Sequence, residues 1–382
     1  MATGTRYSYT DTSNKIRAIS DAIFMIDWKE ASLLNVLGFN SGNSRKIEAT
    51  GWPGTKLEWI EDSMPAVTSA LSAGINNSTT SIPVTASTGQ YFRQGDLILI
   101  DSEKMIVTSV STDTLTVATR PYGSTSAASH SSAAVVTIIG RAMPEGNNYT
   151  TGYTTTFSTP YNYTQIISEA AEASNTALAV KQYGVEDELD YQIGKLFVSG
   201  GQAGVLPIRL QKTFYYGERV QRTSGGNYGS MGGFKTFVTT NVTNLNGASL
   251  QRSDIHKKIR DIRDAGGMCS HLITGSWGIE KISSMYEGSI ATTRDETIGG
   301  NEIQVIKTPH GEVKIVYDWM CPAGEMYFTN PERCGWLPLR DFKVNNIAPQ
   351  GDKTIADIVG EFTFFLINEK SHGYIYGFST TS

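Results

Sequence analysis

The chain has 382 residues, 32 Lys and Arg against 37 Asp and Glu, and a formal net charge of −5 with acids and bases interspersed. That balance excludes a dedicated nucleic-acid binder with a basic face or arm, and the length suffices for roughly two or three domains with a sizeable core. Three cysteines, Cys269, Cys321 and Cys334, are odd in number and lack metal-ligand spacing, which fits free thiols in a reducing compartment better than a disulfide framework.

The opening "MATGTRYSYTDTSNK" has no basic stretch followed by an apolar one, so it does not read as a secretory signal. No apolar run approaches the roughly 20 residues that span a bilayer. Residues 1–20 are polar and without a core pattern, an arm that gains stability only by lying on something else. A short helical pattern follows at Ile19, Ile23 and Ile26 and at Leu33 to Leu37. "IEATGWPGTKLEWI", 47–60, reads as extended chain broken by Pro53 and Gly54.

Residues 72–139 differ from their surroundings. About a third are Ser or Thr, and only seven carry formal charge. Five short strands are predicted, near 81–85, 96–100, 103–110, 114–118 and 134–139. "DTLTVAT" is the clearest, with Leu115 and Val117 alternating with Thr114 and Thr116. "TGQYFRQG", "DSE" and "RPYGST" supply turns. This is a compact β-insert, a small barrel or a sandwich.

Beyond it, 141–162 is extended and rich in Tyr and Thr. The period then changes: "EDELDYQIGKLFVSG" puts Leu189, Ile193, Leu196 and Phe197 on one helical face. Glu186, Asp187 and Glu188 lie at the positive end of the helix dipole. Gly200 and Gly201 end or bend the helix, and Pro207 opens a second segment. Residues 251–265 form another amphipathic helix, with Ser253 as cap and "AGG" as stop. The last third alternates strands ("EIQVIKT", "EVKIVYD", "EMYFTN") with turns. It closes on "IADIVGEFTFFLINEKSHGYIYGF", read as a long pair of strands.

Catalytic motifs are absent from the sequence. None of the five histidines belongs to a nucleophile-elbow motif, there is no Gly-x-Ser-x-Gly, and the Gly-rich strings "GSMGGF" and "GGFKTF" lack the Lys-Ser/Thr ending of a phosphate loop. Cys269 and His271 have no second ligand pair. Asp101, Ser102 and Glu103 suggest either a cation-binding turn or a plain hairpin. Glu58, Glu61 and Asp62 read as a solvated or interface-facing edge rather than as paired catalytic carboxylates. We expect no enzyme, no cofactor and no metal. An arm, a long excursion that leaves and returns, a helix and closing strands together describe a subunit that buries its protruding parts on neighbours.

The order of several segments resembles the major capsid proteins of tailed bacteriophages, with the Hong Kong 97-type fold. These segments are "GTKLEWIEDSM", "RAMPEGNNYT" with "NYTQIISEAAEAS", "EDELDYQIGKLF" with "IRLQKTFYYGER", "GSMGGFKTFV", and "CGWLPLRDFKVNNIAPQGDKTIADIVGEFTFFLINEKSHGYIYGF". The resemblance implies an α+β fold with an N-terminal arm over 1–46 and an extended loop over 47–71 and 140–165. It implies a peripheral domain with a spine helix over 166–240 and 351–382 and an axial domain over 241–350, with 72–139 as an all-β insertion domain. It also implies pentamers and hexamers that close an icosahedral shell around double-stranded DNA. Implied partners are neighbouring capsomers, the packaged DNA without sequence specificity, and scaffolding, portal and decoration proteins, with no membrane. Because the chain begins with the arm, a separate scaffolding protein is expected. The resemblance places the protein in the virion capsid, after assembly in the host bacterial cytoplasm.

The "SGGQAG" string and Pro207 interrupt the implied spine helix, and an interior proline costs on the order of 3 kcal/mol, so a break is expected there. No motif marks a Lys–Asn crosslinking pair. Candidate subunit-interface residues are Trp52, Glu58, Trp59, Tyr149, Tyr153, Tyr161 and Tyr163, since Trp and Tyr offer large amphipathic contact area; each aromatic fits its own core as well. The rivals are an encapsulin-like compartment, a tail or fibre protein, and a hydrolase with an appended carbohydrate-binding β-module.

Overall fold

The structure, a computed structural model, describes residues 32–37, 54–62, 64, 66–146, 157–180, 185, 187–199, 202–224, 228–285, 290–292, 304–348 and 351–381. The polar arm, the pattern at Ile19 to Ile26, and Trp52, Tyr149 and Tyr153 lie outside the described residues. The chain divides into two compact units. One combines Met1–Trp59 with Pro160–Ser382, and the other is Ile60–Thr159.

In the smaller unit a six-stranded sheet runs in the order Thr68–Ala70, Val135–Arg141, Asp96–Ile100, Glu103–Ser111, Thr114–Val117, Ser81–Pro83. Its outermost strands meet through a bridge between Leu71 and Val84. Ser72 N–H donates to the Pro83 carbonyl at 3.0 Å and Thr85 N–H to the Ala70 carbonyl at 2.9 Å. The sheet thereby closes as a small barrel, which removes exposed edges. The strands read from alternation all form. The sixth, Thr68–Ala70, has the string "TSA" and no apolar alternation to announce it. The barrel is filled by one face of each strand: Ile82, Ile98, Ile100, Met105, Leu115 and Val136 are each fully buried. "LILI" also carries Leu97 and Leu99 on the opposite, half-buried face. Asp101 and Ser102 make the two-residue turn between Ile100 and Glu103. Asp101 takes the left-handed conformation (φ 51°) that such turns require.

The larger unit has two main sheets. Three antiparallel strands, Cys334–Ile347, Lys353–Leu366 and Gln165–Ser174, form one. The first two have 14 residues each, about 46 Å at the usual rise. A seven-stranded mixed sheet runs Val242–Asn244, Gly373–Tyr376, Glu325–Thr329, His271–Thr274, Gly311–Tyr317, Gln304–Thr308, Ile290–Thr292. The expected closing pair therefore separates. Lys353–Leu366 pairs with Cys334–Ile347 and Gln165–Ser174, whereas Gly373–Tyr376 pairs with Glu325–Thr329 and Val242–Asn244. The 3-10 turn Glu369–Ser371 redirects the chain between them, entered at Asn368 with φ 56°.

The spine pattern is broken where the glycines and proline stand. A helix Glu188–Phe197 is followed by a hairpin of Val198–Ser199 with Gln202–Ala203, and then by a helix Val205–Tyr216. Asp187 caps the first helix, its carboxylate accepting from the backbone N–H groups of Leu189 and Asp190 at 2.8 and 3.3 Å. Pro207 is the third residue of the second helix, where no intrahelical N–H bond is lost, so the helix starts two residues before the proline. At Gly204 a Cβ would stand 2.5 Å from the Phe197 carbonyl, an approach only glycine permits.

The helix Arg252–Asp264 is capped by Gln251, not Ser253. The Gln251 side chain accepts from the third helical N–H while Asp254 accepts from Gln251 N–H. Sequence spacing favoured the serine, but the reciprocal box places the cap two residues earlier. Gly266, with φ 84°, follows the helix end as expected. Phe214 centres the main core, with Tyr215, Phe234, Tyr327, Trp336 and Phe364 at ring-centroid distances of 5.0 to 6.3 Å.

Candidate functional site

Where the chain of the larger unit departs and returns, two short strands pair antiparallel. Lys56 faces Tyr163, Leu57 faces Asn162 and Glu58 faces Tyr161. The ladder continues one step, with Trp59 N–H donating to the Pro160 carbonyl at 3.1 Å. Alternation sends Leu57 and Trp59 inward against Leu337 and Phe365, and the Trp59 ring lies 5.7 Å from that of Phe237. Trp59 is thus spent on the chain's own core, at 7% exposure.

Asn162 ties the pair to the body of the unit. Its Nδ2 donates to the Gly232 and Phe364 carbonyls at 3.0 and 2.6 Å. Its Oδ1 accepts from the Gly232 and Tyr163 N–H groups at 2.8 and 2.9 Å. A fully buried amide with all four capacities used is a rigid joint. Thr164 Oγ1 donates to Glu361 at 2.7 Å, Thr363 Oγ1 donates to the Tyr163 carbonyl at 2.9 Å, and Arg340 holds the same Glu361 at 2.9 Å.

The outward side is built of tyrosines and cations. The Tyr161 and Tyr163 rings meet edge-on at 5.6 Å. Lys56 Nζ and the Arg219 guanidinium each lie 4.2 Å from the Tyr161 ring centroid, within cation–π range. Arg219 also donates to the Tyr161 carbonyl at 3.0 Å, and Tyr163 donates to Gln221 at 3.2 Å. Lys56 pairs with Glu58, and the hydrogen bond that it donates to that carboxylate raises the lysine pKa. Tyr228 stands 95% exposed, and Tyr216 and Val220 are exposed as well. Of the residues singled out in the sequence, this site gathers Glu58, Trp59, Tyr161 and Tyr163. Asn162, Lys56 and Arg219 were missed. Asn162 lies between two tyrosines in "PYNYT", where an asparagine usually signals a turn.

The smaller unit has a buried charge cluster. Arg120 donates from Nε and Nη2 to the two oxygens of Glu103 at 2.9 and 2.7 Å, and His130 lies 2.9 Å from Glu103 and 2.7 Å from Asp101. The "DSE" turn therefore grips the guanidinium and an imidazole of its own barrel. Among the described residues no group of three or more His, Cys, Asp or Glu is placed to hold a metal ion.

Burial quiets the described thiols and two imidazoles. It pushes Cys269 up to about 11 and Cys334 up to about 12, and it pushes His271 down to about 4 and His372 down to about 3. A thiol so buried is a poor nucleophile, and such histidines are far from the neutral range of general bases.

The family model described as SU10 major capsid protein matches residues 2–379. No curated protein matches the chain. Among solved structures, the capsid of Myoviridae phage XM1 is similar at 8% identity and TM-score 0.49, covering 98% of this chain and 100% of that one. The capsid asymmetric unit of cyanophage A-1(L) is similar at 14% identity and TM-score 0.48, covering 64% and 85%. The SrpI encapsulin complex of Synechococcus elongatus PCC 7942 is similar at 7% identity and TM-score 0.43, covering 60% and 79%.

Proposed function

Because the chain belongs to the SU10 major capsid protein family, we propose that it self-assembles as pentamers and hexamers into the icosahedral head shell enclosing a tailed phage's double-stranded DNA. It is a major capsid protein, a structural protein of the phage head, and its place is the virion capsid. The end-to-end family match carries this reading and favours it over an encapsulin-like compartment or a tail or fibre protein.

We read the chain on the Hong Kong 97-type plan: arm over 1–46, extended loop over 47–71 and 140–165, insertion over 72–139, peripheral domain over 166–240 and 351–382, and axial domain over 241–350. Assembly takes place in the host cytoplasm, with scaffolding and portal proteins as partners. DNA is held without sequence specificity, and the net charge of −5 keeps the shell from gripping phosphates through counterion release.

Subunit contact is assigned to the tyrosine–cation surface of Tyr161, Tyr163, Lys56, Glu58 and Arg219, because Tyr and Arg dominate interface hot spots. Trp59 acts from behind it, as an internal anchor. Trp52, Tyr149 and Tyr153 remain further candidates for the same contacts. The test is negative-stain electron microscopy and light scattering of the purified full chain. Closed shells or capsomer-sized rings are expected; a persistent monomer would overturn the reading.

A further inference from the structure

The surface of the barrel bears an open, solvent-facing cavity of about 740 Å3, a volume within the roughly 300–1,000 Å3 of small-ligand sites. One wall is the turn around Gly89–Tyr91, and the other is the end of the strand Glu103–Ser111 with the turn that follows it. Three backbone irregularities converge there. Ser87 and Thr112 both take left-handed conformations, with φ 66° and 50°. The pairing of Glu103–Ser111 with Thr114–Val117 slips between Val107 and Ser109, so a bulge sets the direction of Thr108 and Ser109. Left-handed non-glycine residues and bulges gather at ligand clamps and re-aimed side chains.

The walls are held firmly. Asp113 accepts from Gly89 N–H at 3.0 Å, Arg93 donates to the Phe92 carbonyl at 2.8 Å, and Gln90 donates to the Ser87 carbonyl at 3.0 Å. At Gly89 a Cβ would stand 1.8 Å from the Thr112 carbonyl, so the two walls touch through glycine alone.

The lining chemistry selects a class of ligand. It offers hydroxyls (Ser87, Ser109, Thr112) and amides (Gln90, Gln94), with one cation, Arg93, balanced by one anion, Asp113. A phosphate or carboxylate ligand needs uncompensated positive charge, and a wholly apolar ligand would leave these polar groups without partners. Neutral donors and acceptors interleaved with about as much apolar surface suit a neutral polyhydroxylated molecule, which presents both hydroxyls and C–H faces.

We propose that this cavity is a binding site for neutral oligosaccharide. The site belongs to the barrel alone and does not depend on shell assembly.

The test is titration of the purified full chain with uncharged malto- and chito-oligosaccharides of three to six units, followed by a neutral-glycan array and read by calorimetry and by protection of 87–94 and 108–113 in hydrogen exchange. Binding with protection confined to those segments is expected. Gln94→Ala and Ser109→Trp, both at exposed positions, should weaken it about tenfold or more, with assembly and barrel melting unchanged. Three results would each overturn the proposal: no neutral glycan bound at about 1 mM, binding only of sialylated or phosphorylated sugars, or equal affinity in both variants. Shells that form normally but bind no glycan would sink this site and leave the capsid reading intact.

Discussion

Two buried side chains, Asn162 and Glu103, make demands that the sequence hides. Replacing Asn162 with Ala strands two carbonyls and two N–H groups around the departing strands. We expect a loss on the order of 3 kcal/mol, read by denaturant unfolding, with hydrogen exchange quickening at 161–163. Burial by itself would push the Glu103 carboxyl up; hydrogen bonds from Arg120, Ala128 N–H and His130, with the charge of Arg120, outweigh it and hold the pKa at about 2, below the ordinary 4.5. A depressed folded-state value means that the stabilisation is complete above pH 4.5 and is lost as pH falls toward 2. Barrel melting followed between pH 6 and pH 2 should therefore fall mainly below pH 4.5, and Glu103→Gln should flatten that dependence. The same change should cost about 3–5 kcal/mol near neutrality by leaving the Arg120 guanidinium buried without its anion. Sequence reading saw "DSE" as a turn but had no means of bringing Arg120 and His130 to it, because that contact depends on barrel closure.

At the level of elements, periodicity was legible wherever one face alone packs inward, as in "DTLTVAT" and the helix over 252–264, and in the helix over 188–197, whose Ile193 and Leu196 are only partly buried against the core and whose Phe197 is exposed. It failed where burial is two-sided or the strand is short. "TSA" joins the barrel through backbone bonds and a Ser69–Thr88 hydroxyl bond, with no buried apolar residue, and the closing aromatic run splits between two sheets because turn geometry at Asn368 decides its direction. The broken spine was legible because Gly and Pro act locally. Gly204→Ala tests that break. The added methyl meets backbone at 2.5 Å, so thermal unfolding of the full chain should drop by several degrees; an unchanged midpoint would show that the turn yields easily. Because the sheet takes in Thr68–Ala70 and runs to Arg141, deleting 72–139 would cut through the barrel. Removing 60–159 and joining Trp59 to Pro160 by a short Gly-rich turn respects both units, and the product should retain a cooperative thermal transition.

For the whole molecule, order along the chain was more informative than any one motif. Arm, excursion, helix and closing strands read as an assembly subunit, and the family match over 2–379 agrees. The contact surface was half legible: tyrosines announce themselves by composition, whereas Lys56 and Arg219 join them only through folding. Tyr161→Ala and Arg219→Ala should raise the concentration needed for assembly about tenfold, roughly 1.4 kcal/mol per contact, while the melting of the unassembled subunit barely moves. The most direct measurement is a cryo-electron microscopy reconstruction of particles formed by the purified full chain. We expect closed icosahedral shells in which Tyr161, Tyr163 and Arg219 touch a neighbouring copy. A chain that stays monomeric, or closed shells in which this cluster faces solvent, would contradict it.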